Sequence, residues 1–453
     1  MNTAKHTHFI GIGGIGMSGI ARILLSCGYK VSGSDLKESP AIAELKTQGA
    51  RIFIGHSAKN IQAPDVVVYS SAIKDDNPEI LEARRQKIPV IRRAEALAAL
   101  MQDKNVITIA GSHGKTTTTS LVSYLLIEAG LNPSVAIGGI LKNTGNNACW
   151  GKGELFVAEA DESDGSFLFY RPKYSIVTNI DREHLDYYGD FQSEVDAFEK
   201  FLHNTLPDGC VFYCADDPCL AKIMEGYKNK KLSFGLQAGA DVFAENIIIN
   251  GLSSEFDCIY KNKPLGRFSL ALGGTHNISN ALAVISLGME LGISLKFISR
   301  ALAGYQGAGR RIEIKLKNND YLIIDDYAHH PTEIKATLSA IKRIGAKRVV
   351  VAFQPHRYTR TKLLMEEFGS CFDLADQLII SDIYAASEPP IEGISGSKLA
   401  ERIKASHGNA TFIAKENLVG YISGIVKPGD LIAFLGAGDI TKICDELVEK
   451  IKR

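Results

Sequence analysis

Twice along the chain, an apolar segment runs directly into a glycine-rich turn and then into a stretch with helical periodicity. The first instance begins at residues 8–12, and the second at residues 106–110. A strand that leads through a glycine turn into a helix is typical of a βαβ unit, whose crossover makes the joined strands parallel. The two turns therefore predict α/β architecture with largely parallel sheets.

Two breaks in the alternation of strand-like and helical segments predict three domains. The chain has 453 residues, more than one ordinary core accommodates. The polar stretch 102–105 and the glycine-rich stretch 305–309 interrupt the pattern. We therefore expect domains at 1–103, 104–309 and 310–453. Short alternating segments between residues 240 and 272 predict antiparallel strands on one flank of the central domain.

The charge balance gives no reason to expect a nucleic-acid or membrane partner. Lys+Arg and Asp+Glu both number 51, so the net charge is zero and creates no field that attracts phosphate polymers. No apolar run approaches the roughly 20 residues that span a bilayer, and the polar start has no signal-peptide core. Cys210, Cys214 and Cys219 lack the paired spacing of a zinc site. These features predict a cytoplasmic protein.

The second glycine turn has the composition of a nucleotide phosphate loop. Glycines allow backbone N–H groups to approach phosphates, and the helix that follows adds partial positive charge. Lys115 can reach the β/γ-phosphates, and the hydroxyl of Thr116 or Thr117 can bind Mg²⁺. The spacing G-x-x-G-K-T departs from the usual P-loop, and a structural turn with a solvated lysine is the alternative. The candidate ATP residues of this turn are Gly111, Ser112, His113, Gly114, Lys115, Thr116 and Thr117.

The first glycine turn matches G-x-G-x-x-G and is followed, one strand later, by Asp35. A ribose-binding acid is expected at that position, and the turn could hold the diphosphate of NAD, of FAD or of a UDP-sugar. A purely structural turn is the fourth alternative. A domain of about 100 residues provides one mononucleotide-binding half, which favours a UDP-type ligand. The candidate residues are Gly11, Gly13, Gly14, Gly16, Asp35, Ser70 and Ser71.

Acidic residues follow two predicted strands of the central domain. Glu159 opens the run E-A-D-E-S-D, and carboxylate oxygens beside a phosphate loop are natural Mg²⁺ ligands. His184 lies beyond a further strand end, where open α/β sheets carry ligands, and could hold a second magnesium ion. A solvated acidic turn and a structural histidine are the alternatives.

In the third predicted domain, two strand ends concentrate histidine, tyrosine and arginine. They lie in the segments 325–331 and 353–360, each of which precedes a helix. Planar carboxylates match an arginine fork, so this cluster suits a carboxylate ligand, whereas an arginine-rich helix start facing water is the alternative. The candidates are Tyr327, His329, His356, Arg357 and Arg360.

Taken in order, these segments resemble the Mur ligases. The resemblance rests on residues 11–19 (G-I-G-G-I-G-M-S-G), 111–118, 159–164, 181–186, 275–280, 325–331 and 356–360, and it covers essentially the whole chain. It implies a Rossmann-like N-terminal domain that holds the UDP moiety, a P-loop ATPase-like central domain with a mostly parallel sheet, and a Rossmann-like C-terminal domain. The implied cofactors are ATP and Mg²⁺. The implied substrates are UDP-N-acetylmuramate and L-alanine, and we expect a monomer or weak dimer.

The resemblance also implies individual roles. Thr116 and Glu159 would share the first Mg²⁺ and His184 would hold the second. Near the adenine and ribose it places His276, Asn277, Asn280 and Asp326, and at the γ-phosphate Arg310 or Arg311. The residues around the amino acid and the new amide would be Tyr327, His329, His356, Arg357 and Arg360.

The chemistry so implied is activation of a carboxylate as an acyl phosphate, followed by attack of an amine. We expect Lys115→Ala to abolish this reaction and to leave the fold intact. Three alternatives stay open at this point. A related ligase would add a peptide to the same sugar, an NAD-dependent oxidoreductase would leave Lys115 unused, and a nucleotide-binding switch would use only the second glycine turn.

Overall fold

The computed structural model describes residues 5–452, apart from the side chain of His407. The chain forms two compact units. One runs from the N-terminal strand to Asn246 and includes Phe256–Ser269 and Ile278–Gln306. The other consists of Ile247–Glu255, Leu270–Asn277 and the chain from Gly307 onward.

The N-terminal sheet has five parallel strands in the order β3-β2-β1-β4-β5. Its strands are β1 (His6–Ile10), β2 (Lys30–Asp35), β3 (Arg51–Ile54), β4 (Val66–Tyr69) and β5 (Val90–Arg92). Its helices are α1 (Ile15–Ser26), α2 (Pro40–Thr47), α3 (Pro78–Arg85) and α4 (Arg93–Met101). The order changes direction beside β1, and the first glycine turn follows this strand. Ligands bind at such a switch point in open α/β sheets.

The central sheet has ten strands in the order β15-β14-β13-β12-β11-β10-β6-β9-β7-β8. Its strands are β6 (Asn105–Ala110), β7 (Ser134–Leu141), β8 (Asn146–Cys149), β9 (Leu155–Glu159), β10 (Tyr174–Val177), β11 (Cys210–Cys214), β12 (Lys231–Gly235), β13 (Val242–Asn250), β14 (Ser253–Tyr260) and β15 (Lys263–Leu270). Its helices are α5 (Lys115–Glu128), α6 (Leu185–Tyr188), α7 (Phe191–His203), α8 (Pro218–Gly226), α9 (Thr275–Glu290) and α10 (Leu295–Gly304). Strands β6 and β10–β13 run parallel, as do β6, β9 and β7.

The C-terminal sheet has six strands in the order β16-β17-β21-β18-β19-β20, and only β16 is antiparallel to its neighbour. Its strands are β16 (Glu313–Lys317), β17 (Tyr321–Asp326), β18 (Arg348–Phe353), β19 (Gln377–Ile380), β20 (Ala410–Phe412) and β21 (Asp430–Leu435). Its helices are α11 (Pro331–Lys342), α12 (Tyr358–Leu363), α13 (Met365–Phe368), α14 (Gly396–His407), α15 (Leu418–Ile425) and α16 (Ile440–Lys452). Short 3-10 turns occur at Ala58–Asn60, Ser166–Phe169 and Lys415–Asn417.

Strand β18 shows why the central strands read as continuous apolar runs. Val349, Val351 and Phe353 enter one buried cluster, whereas Val350 and Ala352 enter another on the opposite face of the sheet. Successive side chains of a strand point to opposite faces, so a strand covered by helices on both sides is apolar at every position.

The predicted fold class is confirmed: the protein is α/β, with three mostly parallel sheets. The expected antiparallel flank corresponds to β13–β15, which are joined by two-residue loops such as Lys261-Asn262; only antiparallel strands allow so short a link. The boundaries at 103/104 and 309/310 stay predictions. Among the described residues, no helix combines the length and apolar character needed to cross a membrane.

One predicted strand end needs correction, and two strands had not been predicted. Strand β1 ends at Ile10 instead of residue 12, because Gly11 already turns the chain with φ +81°. Strands β7 and β8, which the sequence analysis did not predict, lie in the chain between β6 and β9, the strand that ends at Glu159. Gly138 and Gly139 interrupt the apolar pattern of β7, which is why the sequence did not reveal that strand.

Candidate active site

The second glycine turn is packed so closely that only glycine fits at two of its positions. A Cβ at Gly111 would lie 2.2 Å from Oγ1 of Thr178, and one at Gly114 would lie 2.8 Å from Oδ1 of Asn280. Gly114 is also the N-cap of α5 with φ +85°, and has no side chain to occupy the first N–H groups of the helix. No helical carbonyl accepts those N–H groups, so the turn presents donors suited to a phosphate.

Asn179 holds the first half of this turn. Its carbonyl oxygen accepts from the N–H of Ser112 (3.0 Å), and its Oδ1 accepts from the N–H of His113 (2.9 Å). The His113 ring contacts Oδ2 of Asp181 through Nε2 at 2.8 Å. Two of the candidate phosphate donors thus bond to the protein itself, and the N–H groups that begin α5 are the ones left for a ligand.

Lys115 is folded back onto its own loop. Its Nζ donates to the carbonyl oxygens of Gly111 (2.6 Å) and Ser112 (3.1 Å), and to Oε1 of Glu162 (2.6 Å). Burial lowers the pKa of Lys115, but the charges of Glu162, Asp161 and Glu183 outweigh it and raise the pKa above the usual value. Sequence reasoning gave Glu162 no role of its own, although it lies in the acidic run that begins at Glu159.

Thr116 and Glu159 meet at the edge of the sheet where β9 ends and α5 begins. The Thr116 hydroxyl donates to Oε1 of Glu159 at 3.3 Å, and the N–H of Gly138 donates to Oε2 at 3.1 Å. A Cβ at Gly138 would lie 2.6 Å from Oε1, so glycine leaves room for this carboxylate. A hydroxyl and a carboxylate oxygen this close fit a hard cation such as Mg²⁺.

His184 belongs to a separate group of possible ligands. It adopts a left-handed conformation with φ +55° and caps the N-terminus of α6. Its Nε2 lies 3.3 Å from Oε2 of Glu183 and 3.7 Å from Oε1 of Glu162. The expected second-cation residue therefore has two carboxylate neighbours that the sequence had not singled out.

In the first glycine turn, Asp35 supports the backbone. Its Oδ2 accepts from the N–H of Gly13 at 2.8 Å and its Oδ1 from the N–H of Leu36 at 2.7 Å. A Cβ at Gly11 would lie 3.3 Å from Cβ of Ser70, so the end of β4 packs against the turn. Gly14 is the N-cap of α1 and, like Gly114, leaves the first helical N–H groups uncapped by its own side chain.

A cavity of about 330 Å³ is lined both by the first glycine turn and by the end of β9, within the compact unit that extends to Asn246. The first turn and β4 contribute Gly14, Gly16, Ser70 and Ser71, and the central sheet contributes Gly138, Asn147, Glu159 and Asp161. Its size is within the usual range for a ligand pocket. The first turn and the cation-ligand candidate Glu159 therefore face one space.

Arg93 lines this cavity and was not predicted. A Cβ at Gly16 would lie 3.1 Å from both Cδ and Nη1 of Arg93, so the arginine lies against the last glycine of the turn. Its Nη2 is 3.4 Å from Oδ2 of Asp161. Arg93 begins α4 outside any recognisable motif, and nothing in the sequence distinguished it from neighbouring Arg92.

In the other unit, the candidate amino-acid residues form a chain of ring contacts. The guanidinium carbons of Arg310 and Arg311 lie 5.1 and 5.3 Å from the ring centroid of Tyr327. The Tyr327 and His329 rings are 5.4 Å apart, and those of His329 and His356 are 5.6 Å apart. The structure thus brings together the strand ends of β17 and β18, as expected.

His356 lies among cations. Nη1 of Arg360 lies 3.2 Å from Nδ1 of His356, while Nε of Arg357 donates to Oε1 of Glu388 at 2.5 Å. Burial, and then the neighbouring His329, Arg360 and Arg357, lower the pKa of His356 to about 3. The imidazole is neutral at physiological pH. Glu388, the acidic partner of Arg357, lies in a loop without a sequence signal.

Two predicted residues are held by the protein itself. Asp326 is buried, and its carboxylate accepts from the N–H groups of Ile312 (2.6 Å) and Ala328 (2.8 Å). Arg310 donates to the carbonyl oxygens of Gly436 and Gly438. These contacts shape the segment after Gly309, where Arg311 also lies.

The three residues expected near adenine belong to the start of α9. Asn280 contacts the second glycine turn through Gly114, as described. The Asn277 side-chain amide donates to the carbonyl oxygen of Gly273 at 2.8 Å and so caps the turn before the helix. His276 is exposed.

The fold and the two phosphate-type turns define a class of nucleotide-dependent enzymes, and comparison with known families specifies it: the chain belongs to the Mur ligase family. Three family models match, the Mur ligase family catalytic domain at residues 6–105, the Mur ligase middle domain at 109–288 and the Mur ligase glutamate ligase domain at 310–438.

Relatives that match over their full length show which member of the family this chain is similar to. The UDP-N-acetylmuramate–L-alanine ligase of Geotalea uraniireducens is 49% identical over 98% of both chains. The enzyme of the same name from Aquifex aeolicus is 46% identical over 99% of this chain and 98% of its own. Among solved structures, the UDP-N-acetylmuramate-alanine ligase MurC of Thermotoga maritima has 32% identity and a TM-score of 0.85, with 99% of each chain covered.

Proposed function

We propose that this protein is an ATP-dependent ligase that joins L-alanine to the lactyl carboxylate of UDP-N-acetylmuramate, a step of peptidoglycan synthesis. The observation that carries the proposal is the cavity bounded by the first glycine turn on one side and by Glu159 and Asp161 on the other. A sugar nucleotide held at the first turn would extend its carboxylate toward the phosphate-binding region. The relatives that share almost half of this sequence over its whole length carry the name of that activity.

The reaction is balanced without a covalent enzyme intermediate. A lactyl carboxylate oxygen attacks the γ-phosphorus of ATP, the bond to the β,γ-bridging oxygen breaks, and ADP leaves. The alanine amine then attacks the acyl carbon and loses a proton, and the carbon–oxygen bond to phosphate breaks. The products are UDP-N-acetylmuramoyl-L-alanine, ADP and phosphate. Such chemistry needs mainly positioning and neutralisation of charge.

The residues divide between three tasks in this proposal. Lys115 and the first N–H groups of α5 bind the phosphates of ATP, and Arg310 or Arg311 adds positive charge. Thr116 and Glu159, with His184 for a second ion, would hold Mg²⁺, which neutralises phosphate charge when bound. The amino acid would lie by the cluster of Tyr327, His329, His356, Arg357 and Arg360.

The test is phosphate release by the purified protein with ATP, Mg²⁺ and UDP-N-acetylmuramate. We expect release that depends on both the sugar nucleotide and L-alanine, and a product heavier by one alanyl residue in mass spectrometry. Glycine, L-serine and the tripeptide L-alanyl-γ-D-glutamyl-meso-diaminopimelate serve as competing acceptors. Release that ignores the sugar nucleotide and the amino acid would instead identify a nucleotide-hydrolysing switch.

Preference for the tripeptide would favour the related peptide ligase left open by the sequence. An oxidoreductase requires binding of NAD, which calorimetry measures directly. We also place the reaction in the cytoplasm, where ATP is available, and retain a monomer or weak dimer as the expected assembly.

A further inference from the structure

Lys115 and Glu162 form an ion pair in which the glutamate side chain is completely buried. The Glu162 side chain is fully inaccessible, and that of Lys115 retains only 15% of its exposure. One oxygen of Glu162 binds Nζ of Lys115, and the other, Oε2, has no hydrogen-bond partner among the described residues. A buried carboxylate oxygen without a partner is costly, so Oε2 of Glu162 is suited to bind a cation.

That carboxylate adjoins two further donor groups. One ligand atom each from Glu162, Glu183 and His184 can be chosen so that all three lie within 4.8 Å of one another. Two carboxylates and one imidazole at this separation can converge on a single divalent cation. Lys115 meets the same carboxylate from the loop side, so the ammonium and the cation would compete for Glu162.

Binding of ATP changes the hydrogen bonds of Lys115. Its three donors are all used, by Glu162 and by two carbonyls of its own loop, so a bond to a phosphate replaces at least one of them. When the bond to Glu162 is the one replaced, the fully buried carboxylate loses its positive partner. Removing one partner of a buried pair is strongly unfavourable unless another charge replaces it.

We propose that Glu162 exchanges one cation for another during nucleotide binding. In the free enzyme it holds Lys115 away from the phosphates; with ATP bound, it releases Lys115 and joins Glu183 and His184 as a ligand of a divalent cation. The inference deepens the proposed function and rests on it. Glu162 is thus a positioning residue for Lys115 in one state and a metal ligand in the other.

Two measurements on Glu162→Gln test the exchange. The first is affinity for ADP in excess EDTA, by calorimetry: without the competing ion pair, Lys115 binds phosphate freely, and we expect roughly tenfold tighter binding than in the wild type. The second is Mn²⁺ stoichiometry by electron paramagnetic resonance with a non-hydrolysable ATP analogue. We expect two bound ions in the wild type and one in the variant.

A matched control and a second variant keep the test decisive. Glu199→Gln removes an exposed carboxylate of α7 and should change neither measurement. Glu183→Gln should lose the second Mn²⁺ but change metal-free ADP affinity less than Glu162→Gln does, because the short hydrogen bond of Lys115 is to Glu162. If Glu162→Gln does not fold, Glu183→Gln still tests whether these residues bind the second cation.

The outcomes distinguish a failure of the Glu162 exchange from a failure of the proposed function. If Glu162→Gln binds metal-free ADP more weakly than the wild type, Glu162 has a structural role only and the exchange is refuted. Unchanged Mn²⁺ stoichiometry in both glutamate variants refutes the cation site. A wild-type protein that binds no ADP would overturn the proposed function itself, whereas normal wild-type binding with unresponsive variants overturns the exchange alone.

Discussion

Replacement of Lys115 by alanine should destabilise the protein as well as inactivate it. From the sequence we expected Lys115→Ala to leave the fold intact. In the structure, its ammonium group is 2.6 Å from the buried Glu162 carboxylate. The variant therefore leaves an acidic side chain without its counter-charge in a site that water does not reach.

Two independent estimates of the loss of stability in Lys115→Ala agree. Truncating one member of a buried ion pair costs about 3–5 kcal/mol. Alternatively, Glu162 takes up a proton, and protonating a carboxyl of ordinary pKa near 4.3 at pH 7 costs about 3.7 kcal/mol. We expect a loss of about 4 kcal/mol in the free energy of unfolding, which corresponds to a fall in Tm of roughly 10 °C.

Uptake of a proton by Glu162 also determines how the stability of the variant depends on pH. In the variant, the folded-state pKa of Glu162 is above its unfolded value, so stability relative to the wild type is retained at low pH and lost as pH rises. At pH 5 the penalty should shrink to about 1 kcal/mol. Lys115→Ala combined with Glu162→Gln has no charge to compensate and should recover most of the stability without recovering activity.

The measurement is urea-induced unfolding in EDTA, followed by fluorescence of the single tryptophan. Trp150 belongs to the same compact unit as Lys115 and packs edge-on against Phe156, so it reports on the relevant part of the chain. A Lys115→Ala protein as stable as the wild type at pH 7, or a penalty independent of pH, would refute the reasoning. Near-wild-type ligation by the variant would overturn the assignment of the loop.

Three further substitutions test other parts of the site. Arg93→Ala should raise the KM for UDP-N-acetylmuramate roughly tenfold while changing the KM for ATP little, because Arg93 lines the cavity beside the first turn. Gly138→Ala places a Cβ 2.6 Å from Oε1 of Glu159 and should raise the Mg²⁺ concentration for half-maximal activity roughly tenfold. His356→Gln should lose less stability than the wild type as pH falls from 7 to 5, measured by thermal melts, because unfolding of the wild type lets His356 bind a proton that its folded pKa of about 3 excludes.

For each substitution, one result would contradict the prediction. Equal increases of both KM values in Arg93→Ala would indicate general damage, and the neighbouring Arg92→Ala is the control for charge loss at the same helix start. An unchanged Mg²⁺ requirement in Gly138→Ala would remove Glu159 from the cation site. Equal acid sensitivity of His356→Gln and the wild type would mean that the imidazole is charged in the folded protein.

The sequence by itself determined the layered α/β architecture and the positions of the ligand-binding turns. These properties depend on local causes: the difference between helical and strand periodicity, and the conformations that only glycine adopts. The carboxyl ends of β9, β17 and β18 could be located because each is an apolar run followed by polar residues, and those of β1 and β6 could be located to within two residues because a glycine turn follows. The resemblance to a family then assigned roles to side chains at those ends, and these roles stay predictions.

Only the tertiary structure decided which charges meet. Lys115 and Glu162 are 47 residues apart in sequence, and Arg93 and Asp161 are 68 apart. Their pairing follows from the order of strands in the sheets, where β6 lies between β10 and β9, and from helices that return to the same edge. Strand order depends on how whole faces pack against each other, and no local pattern encodes it. For that reason, the sequence identified Lys115 as a phosphate ligand but not the buried carboxylate that restrains it.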